Sequence, residues 1–288
     1  MGRERAHHGD VAMEIVGGKR RRQSSPAEWV VYDGLTRCPY IRGQIARLPM
    51  RLPERALQPR ELEERLAAGD RRQGMLLYRP RCPLCSACEP IRLRIGEFEP
   101  SSAQRRALRS GDRALETRLG RPRASREKVA LYNAHKQGRG LWVGDDPIDL
   151  EGYEEFLVET CVDSIELEYR LDGRLVGAAI SDRSENSLSA VYCFYDPSVA
   201  QLSIGTYSIM KQLELCRSWG LDYLYLGLYV AECSAMAYKS RYTPHERLIQ
   251  GQWQRFPSDA TTTESRVQDS TPPVDTGKSI PRGSTNRP

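Results

Sequence analysis

Leu202-Ser-Ile-Gly-Thr-Tyr-Ser-Ile-Met-Lys-Gln-Leu-Glu-Leu-Cys-Arg-Ser-Trp-Gly220, followed closely by Tyr223-Leu-Tyr-Leu-Gly-Leu-Tyr229, is the stretch on which the fold turns. Ser203-Ile-Gly205 opens a long helix over Thr206 to Trp219, and Gly220 closes it. Tyr223 to Tyr229 then reads as a strand. Upstream, Ser164 to Arg170 alternates as a strand, Leu171-Asp-Gly-Arg174 turns, and Leu175 to Ser181 returns. A third strand, Leu188 to Tyr195, stops at Asp196-Pro197. A helix over Lys128 to Gln137 precedes these strands, and a last one runs from about Ser234 to Tyr242.

An antiparallel meander, then helix, strand and helix, is the element order of an N-acetyltransferase-like (GNAT) fold. In that fold the turn opening the long helix presents backbone N–H groups to a donor. The expected class is α+β, with a GNAT-like domain at 126–256. A smaller, cysteine-containing α/β module at 28–125 precedes it. That module shows a helix over Arg60 to Ala68 ended by Gly69, a strand at Pro90 to Ile95, and a helix start at Glu99-Pro-Ser-Ser102. Residues 1–27 read as a disordered basic arm carrying Lys19-Arg-Arg-Arg22, and 257–288 as a disordered tail poor in large apolar side chains.

At 288 residues and 28% charged residues, the chain has the composition of a globular protein with ample length for a core. No apolar run approaches the roughly 20 residues that span a bilayer, and no secretory signal follows the N-terminus. A cytoplasmic protein with no membrane partner is expected, its eight cysteines reduced or metal-bound. Net charge is only +5, but Arg71 to Arg126 holds 14 arginines against five acids. Asp145 to Asp172 holds 11 acids against one arginine. A general arginine bias would not gather the charge in one segment, so the basic part reads as polyanion-binding.

Cys82-Pro-Leu-Cys85-Ser-Ala-Cys88 repeats a two-residue gap, the spacing of thiolate metal knuckles. Three thiols are one short of a closed tetrahedral site, and Cys38 in Thr36-Arg-Cys-Pro-Tyr40 is the natural fourth. Cys38, Cys82, Cys85 and Cys88 are therefore candidate ligands for a structural zinc or an iron–sulfur cluster, with reduced thiols in a tight loop as the alternative. Cys161, Cys193, Cys216 and Cys233 fall in apparent helices and strands, where thiols act as small buried hydrophobes.

Further motifs run in a fixed order. They are Cys38-Pro-Tyr40, Gly69-Asp-Arg-Arg72, Leu77-Tyr-Arg-Pro80, the cysteine knuckle, Pro90-Ile-Arg92 and Ser101-Ser-Ala-Gln-Arg-Arg106. Tyr195-Asp-Pro197, Leu202-Ser-Ile-Gly-Thr206, Tyr225-Leu-Gly227 and Met236-Ala-Tyr-Lys239 follow. Through these the chain resembles the aminoacyl-tRNA–protein transferases of the N-degron pathway, of the bacterial aspartate/glutamate leucyltransferase type, over about Tyr32 to Phe256. It departs at Leu228, where a Tyr is common, and at Tyr242-Thr, where a Phe commonly precedes the proline. The resemblance implies leucine transfer from a charged tRNA to the N-terminal amine of proteins beginning with Asp or Glu, which marks them for degradation. It implies reaction in the GNAT-like domain. Arginyl transfer from Arg-tRNA and a non-catalytic RNA-binding metal protein are the rival readings.

Amine attack on an aminoacyl ester needs no covalent nucleophile and no cofactor, since a protein α-amine has a pKa near 8 and is partly neutral at physiological pH. The four histidines (His7, His8, His135 and His245) form no recognisable catalytic arrangement. Positioning, proton management and oxyanion donors then carry the catalysis. Asp182 at a strand end and Tyr238 are the candidates for proton handling; a turn acid and a core aromatic are their plain alternatives. Arg72, Lys239 and Arg241 are candidates for the acceptor's carboxylate. Arg105 and Arg106, with Arg109, are candidates for tRNA phosphates, and Ser203 and Gly205 for the donor's 3′ end.

Overall fold

The computed structural model describes residues 26–140 and 147–258; most of the expected arm and tail lies outside them. The first stretch opens with six strands: β1 Glu28–Tyr32, β2 Leu35–Arg37, β3 Ile45–Arg47, β4 Met50–Pro53, β5 Arg71–Gln73 and β6 Leu76–Tyr78. Helix α1, Pro59–Ala67, lies between β4 and β5. β7 Glu89–Arg94, α2 Ser102–Ala114, β8 Glu116–Gly120 and α3 Arg126–Gly138 follow. Short α4, Leu150–Tyr153, runs into a π-helical turn, and then come β9 Ser164–Leu171, β10 Arg174–Arg183 and β11 Ser187–Tyr195. After a 3-10 turn come α5 Ile204–Ser218, β12 Tyr223–Tyr229, α6 Ser234–Ala237, β13 His245–Ile249 and β14 Gln252–Phe256.

One eight-stranded sheet, ordered β14-β13-β7-β12-β11-β10-β9-β8, organises the chain. It contains the expected meander β9-β10-β11, then α5, and β12 parallel to β11. The GNAT-like order is thus present in the topology. The sheet also takes in β7 and β8 from the first stretch, so the two stretches share it. A four-stranded sheet, β1-β4-β6-β5, and the β2-β3 pair complete the first stretch. The expected last helix is only α6 with a 3-10 turn at Tyr238–Arg241, and the chain then returns to the sheet as the β13-β14 hairpin.

β10 is buried along nearly its whole length because both faces of the sheet are covered. Val176 and Ala179 pack with Ile204 and Tyr207 on one side. Ala178 and Ile180 pack with Leu131, Tyr132, Tyr153 and Phe194 on the other. α5 ends as its sequence indicates: Gly220 takes a φ of +66°, and Leu221 N–H reaches back to Cys216 O at 2.9 Å. α2 lies against α5 at Gly111, where a Cβ would fall 2.2 Å from the Tyr207 ring.

α1 ties the first stretch to the sheet. Glu63 of α1 accepts hydrogen bonds from the hydroxyls of Ser184 and Ser187, at 2.5 and 2.7 Å, at the β10-β11 turn. Leu57, Leu62, Leu66 and Leu77 share a buried cluster with Cys161, Val162 and Tyr225.

Candidate active site

Parallel strands β11 and β12 pair only from Ser187–Ser189 to Tyr223–Tyr225 and then part. Where they part, the register between β12 and β7 also slips, between Tyr225 and Gly227. The chain of β5 closes the gap. The result is a cavity of about 260 Å³, lined among others by Ala190 and Tyr192 of β11, Leu226 to Leu228 of β12, and Arg71 and Arg72. Ligand pockets for drug-sized molecules hold roughly 300–1,000 Å³, so this one has room for a side chain or two.

Arg72 and Lys239, chosen from sequence for the acceptor's carboxylate, and Asp182, chosen for proton handling, all line this cavity. Arg72 grips Asp182 in a two-pronged ion pair, Nε to Oδ2 and Nη2 to Oδ1, both at 2.8 Å. Ser164 Oγ adds a third bond to Oδ1 at 2.6 Å. Both side chains are 2% exposed. Arg72 also donates to Gly74 O at 2.9 Å and Glu159 O at 3.3 Å. Its guanidinium is therefore engaged within the protein, which leaves the cavity's positive character to other residues.

One of those was not singled out from sequence. Arg71 is 6% exposed and donates to Asp70 O at 2.8 Å and Gly227 O at 3.0 Å. Its buried Nε has no hydrogen-bond partner. The only sequence signal was its place in Gly69-Asp-Arg-Arg72, within the resemblance. Lys239, 7% exposed, donates to Leu228 O at 2.7 Å and lies 3.3 Å from Met236 Sδ. Burial, and then Arg71, lower the Lys239 ammonium to about 7. Burial likewise lowers Arg71. The neighbouring Asp70 is held by Arg51 at 2.7 Å and Arg79 at 2.9 Å.

The other candidates lie elsewhere. Tyr238 keeps 39% of its surface exposed, yet burial of its hydroxyl holds the phenol above its ordinary range, so it stays protonated at neutral pH. Its electrostatic neighbours include Tyr242, Cys193 and Tyr195. Ser203 sits at the α5 N-cap with φ of +50° and makes no side-chain cap bond. A Cβ on Gly205 would meet the Tyr195 ring at 3.5 Å. Arg105 and Arg106 are exposed on α2, Arg105 bonding Pro100 O and Ser102 Oγ at the helix's own start. Arg241 is also exposed, and its carbonyl accepts from Gln104. His135 is buried with Nδ1 3.0 Å from Tyr195 O, away from the cavity lining.

Cys38, Cys82, Cys85 and Cys88 are free, half-buried thiols. Burial first, then Cys38, Cys82, Cys85 and Cys233, pushes the Cys88 thiol up to about 12. Sequence reading had placed Cys233 outside this set. The donor types suit zinc or an iron–sulfur cluster. Their placement does not: among the described residues no group of three or more His, Cys, Asp or Glu is arranged to hold a metal ion.

The GNAT-like core thus holds a cavity with buried cationic side chains where its parallel strands part. Family comparison identifies the transferred group as an aminoacyl group. Residues 36–106 match "Arginine-tRNA-protein transferase, N terminus", and 127–249 match "Arginine-tRNA-protein transferase, C terminus". The aspartate/glutamate leucyltransferase of Chromobacterium violaceum is 39% identical over 220 residues, 76% of this chain and 90% of that one. Those of Methylobacillus flagellatus and Thiobacillus denitrificans are 38% and 37% identical, over 75% of this chain and 87% and 90% of theirs. The chain belongs to the arginine-tRNA-protein transferase family and is of the bacterial aspartate/glutamate leucyltransferase type.

Proposed function

We propose that this enzyme moves leucine from Leu-tRNA to the N-terminal amine of proteins beginning with Asp or Glu, marking them for degradation. The observation that carries the reading is the small, net-positive cavity at the strand divergence, in a chain this similar to aspartate/glutamate leucyltransferases. The neutral α-amine attacks the ester carbonyl, a C–N bond forms, and the ester C–O bond breaks. The amine's proton passes to the leaving ribose oxygen. Asp182, with one acceptor site still open on Oδ2, is suited to receive an N–H of that amine, and Arg72 fixes its orientation. Tyr238 can serve only as a donor while its phenol is protonated.

The start of α5, where Ser203 leaves its hydroxyl out of capping, is the candidate seat for the donor's 3′ end. The exposed arginines of α2, Arg105, Arg106 and Arg109, are the candidate tRNA phosphate contacts. Arg241 at the neighbouring turn adds to that positive surface and is a weaker candidate for the acceptor carboxylate than the cavity's buried cations. No helix among the described residues is long and apolar enough to cross a membrane. The transfer needs no cofactor. A structural zinc or iron–sulfur centre on Cys38, Cys82, Cys85 and Cys88 would require the thiols to move to a common centre, and no step is assigned to it.

The test offers labelled amino acids on a pool of charged tRNAs to peptides beginning with Asp, Glu or Lys. Leucine is expected on the Asp and Glu peptides alone. No transfer to either from any tRNA refutes the reading.

A further inference from the structure

Among the described residues β1 has one strand partner, β4, and stands at the edge of its sheet. Its outer N–H and C=O groups have no strand there to bond. Trp29 and Val30 are 67% and 60% exposed, and Val31 and Tyr32 are exposed with them. Successive strand residues point to opposite faces, so the described residues cover neither face of β1. Its one acid, Glu28, is held by Arg51 at 2.9 Å and Arg65 at 2.8 Å, so no free charge guards the edge. Glu28, Trp29 and Val30 stay in continuous register with β4, and the slip comes only between Val30 and Tyr32. An apolar, uncharged edge of this kind is a template for another strand, and one left open invites aggregation.

The chain supplies a fitting strand of its own. In the 25 residues ahead of Pro26, Val11-Ala-Met-Glu-Ile-Val16 is the one apolar run. It is six residues long, three of them β-branched, and Gly9-Asp10 and Gly17-Gly18 bound it, which are the marks of a strand between turns. At a period of two, Val11, Met13 and Ile15 share one face and Ala12, Glu14 and Val16 the other. Eleven residues, 17–27, separate the run from Glu28. Extended, they reach about 36 Å, ample for the chain to double back across the roughly 4.8 Å between neighbouring strands.

Charge favours the same arrangement. The linker carries Lys19-Arg-Arg-Arg22 and enters the sheet at the Glu28 end of β1. At that end Glu54 N–H donates to Ala27 O at 2.9 Å. The β5-β6 turn lies at the same end, because Tyr78 pairs with Met50 and Leu77 with Arg51. There a Cβ on Gly74 would fall 2.5 Å from Glu155 O. Glu54, Glu155 and Glu159 are exposed and stand outside the ion pairs found among the described residues.

We propose that the β1 edge takes up residues 11–16 of the same chain as an antiparallel fifth strand of that sheet. Both partners lie ahead of residue 36, where the match to the transferase family begins, so the contact is independent of the reaction proposed above. A tethered segment acts at millimolar effective concentration, which puts a second copy or an outside strand at a disadvantage.

The test is hydrogen exchange of the full chain at neutral pH, read by mass spectrometry on peptides covering residues 11–16, Glu28–Tyr32 and Met50–Pro53. Amides of 11–16 are expected to exchange at least about tenfold more slowly than in a free chain, equally at low and high protein concentration. In the full chain with Val11→Pro and Ile15→Pro, two backbone donors are lost and the added strand cannot form. Protection of 11–16 should then vanish. About half the amides of Glu28–Tyr32, those facing away from β4, should lose theirs, while Met50–Pro53 keeps its own. If the variant fails to fold, exchange in the parent decides by itself.

Free-chain exchange across 11–16 in the parent overturns the proposal. So does protection of Glu28–Tyr32 that the two prolines leave unchanged. Protection that grows with protein concentration, with a doubled mass in sedimentation, gives the edge to a second copy and overturns it as well. Protection that needs an acceptor peptide or charged tRNA gives the edge to that partner, with the same result.

Discussion

Arg72 and Asp182 join the first stretch to the GNAT-like sheet through charge that water cannot reach. Such a pair contributes little net stability when intact but is expensive to break, because the survivor is left buried and unpaired. Asp182→Ala should therefore lower unfolding free energy by about 3–5 kcal/mol, and Arg72→Leu with Asp182→Leu should recover most of that. Denaturant unfolding of both variants checks this, and equal losses would mean that the two side chains act separately. Lys239 behaves in the opposite sense. Its folded pKa, near 7, lies below its ordinary value of 10.5, so between these values the unfolded chain binds more protons and stability rises with pH. The penalty of burying the ammonium is fully present below about pH 7. Lys239→Met should thus raise the melting temperature most at pH 6, with the gain shrinking as pH rises towards 10. A constant gain across that range would show that no buried ammonium is involved.

α2 and α5 meet at a contact that only glycine allows. Gly111→Ala must displace the Tyr207 ring, which hydrogen-bonds Thr117 and Asp112, and should cost about 1–3 kcal/mol in unfolding free energy. A variant as stable as the parent would show that the helices part freely. The elements around this contact were legible because they are long and periodic. β9 alternates in sequence, β10 to β12 are seven to ten residues long and rich in apolar side chains, and α5 carries its own stop in Gly220. β2, β3, β5 and β6 are three residues each, too short for a period-2 pattern to stand out. The β13-β14 hairpin falls in a polar stretch between the expected last helix and the expected tail, to which the sequence assigned no element. The site was half legible for the same reason. Arg72, Asp182 and Lys239 could be nominated by type and motif, but no pattern distinguishes a buried arginine from a surface one, so Arg71 went unread and Arg72's engagement with Asp182 was invisible.

Over the whole molecule, the basic segment divides into two populations. Arg71, Arg72 and Arg92 are buried, and Arg79, Arg94 and Arg118 are ion-paired with acids. Much of the excess that looked like a polyanion surface is thus internal wiring. Arg105, Arg106, Arg109 and Arg113 remain exposed along α2, outside the ion pairs found among the described residues. Phosphate contacts release condensed counterions, so each lost contact reduces the salt dependence of binding by a slope of about 0.7 to 0.9. Replacing Arg105, Arg106 and Arg109 together by Gln should weaken Leu-tRNA binding and lower the slope of log affinity against log salt by about 2 to 3. Transfer at saturating Leu-tRNA should stay near the parent rate, because α2 is absent from the cavity lining. Filter binding across a salt series, run beside transfer kinetics, separates the two effects. An unchanged slope would move the tRNA off α2. A lost rate at saturating donor would instead make the helix part of the reaction centre.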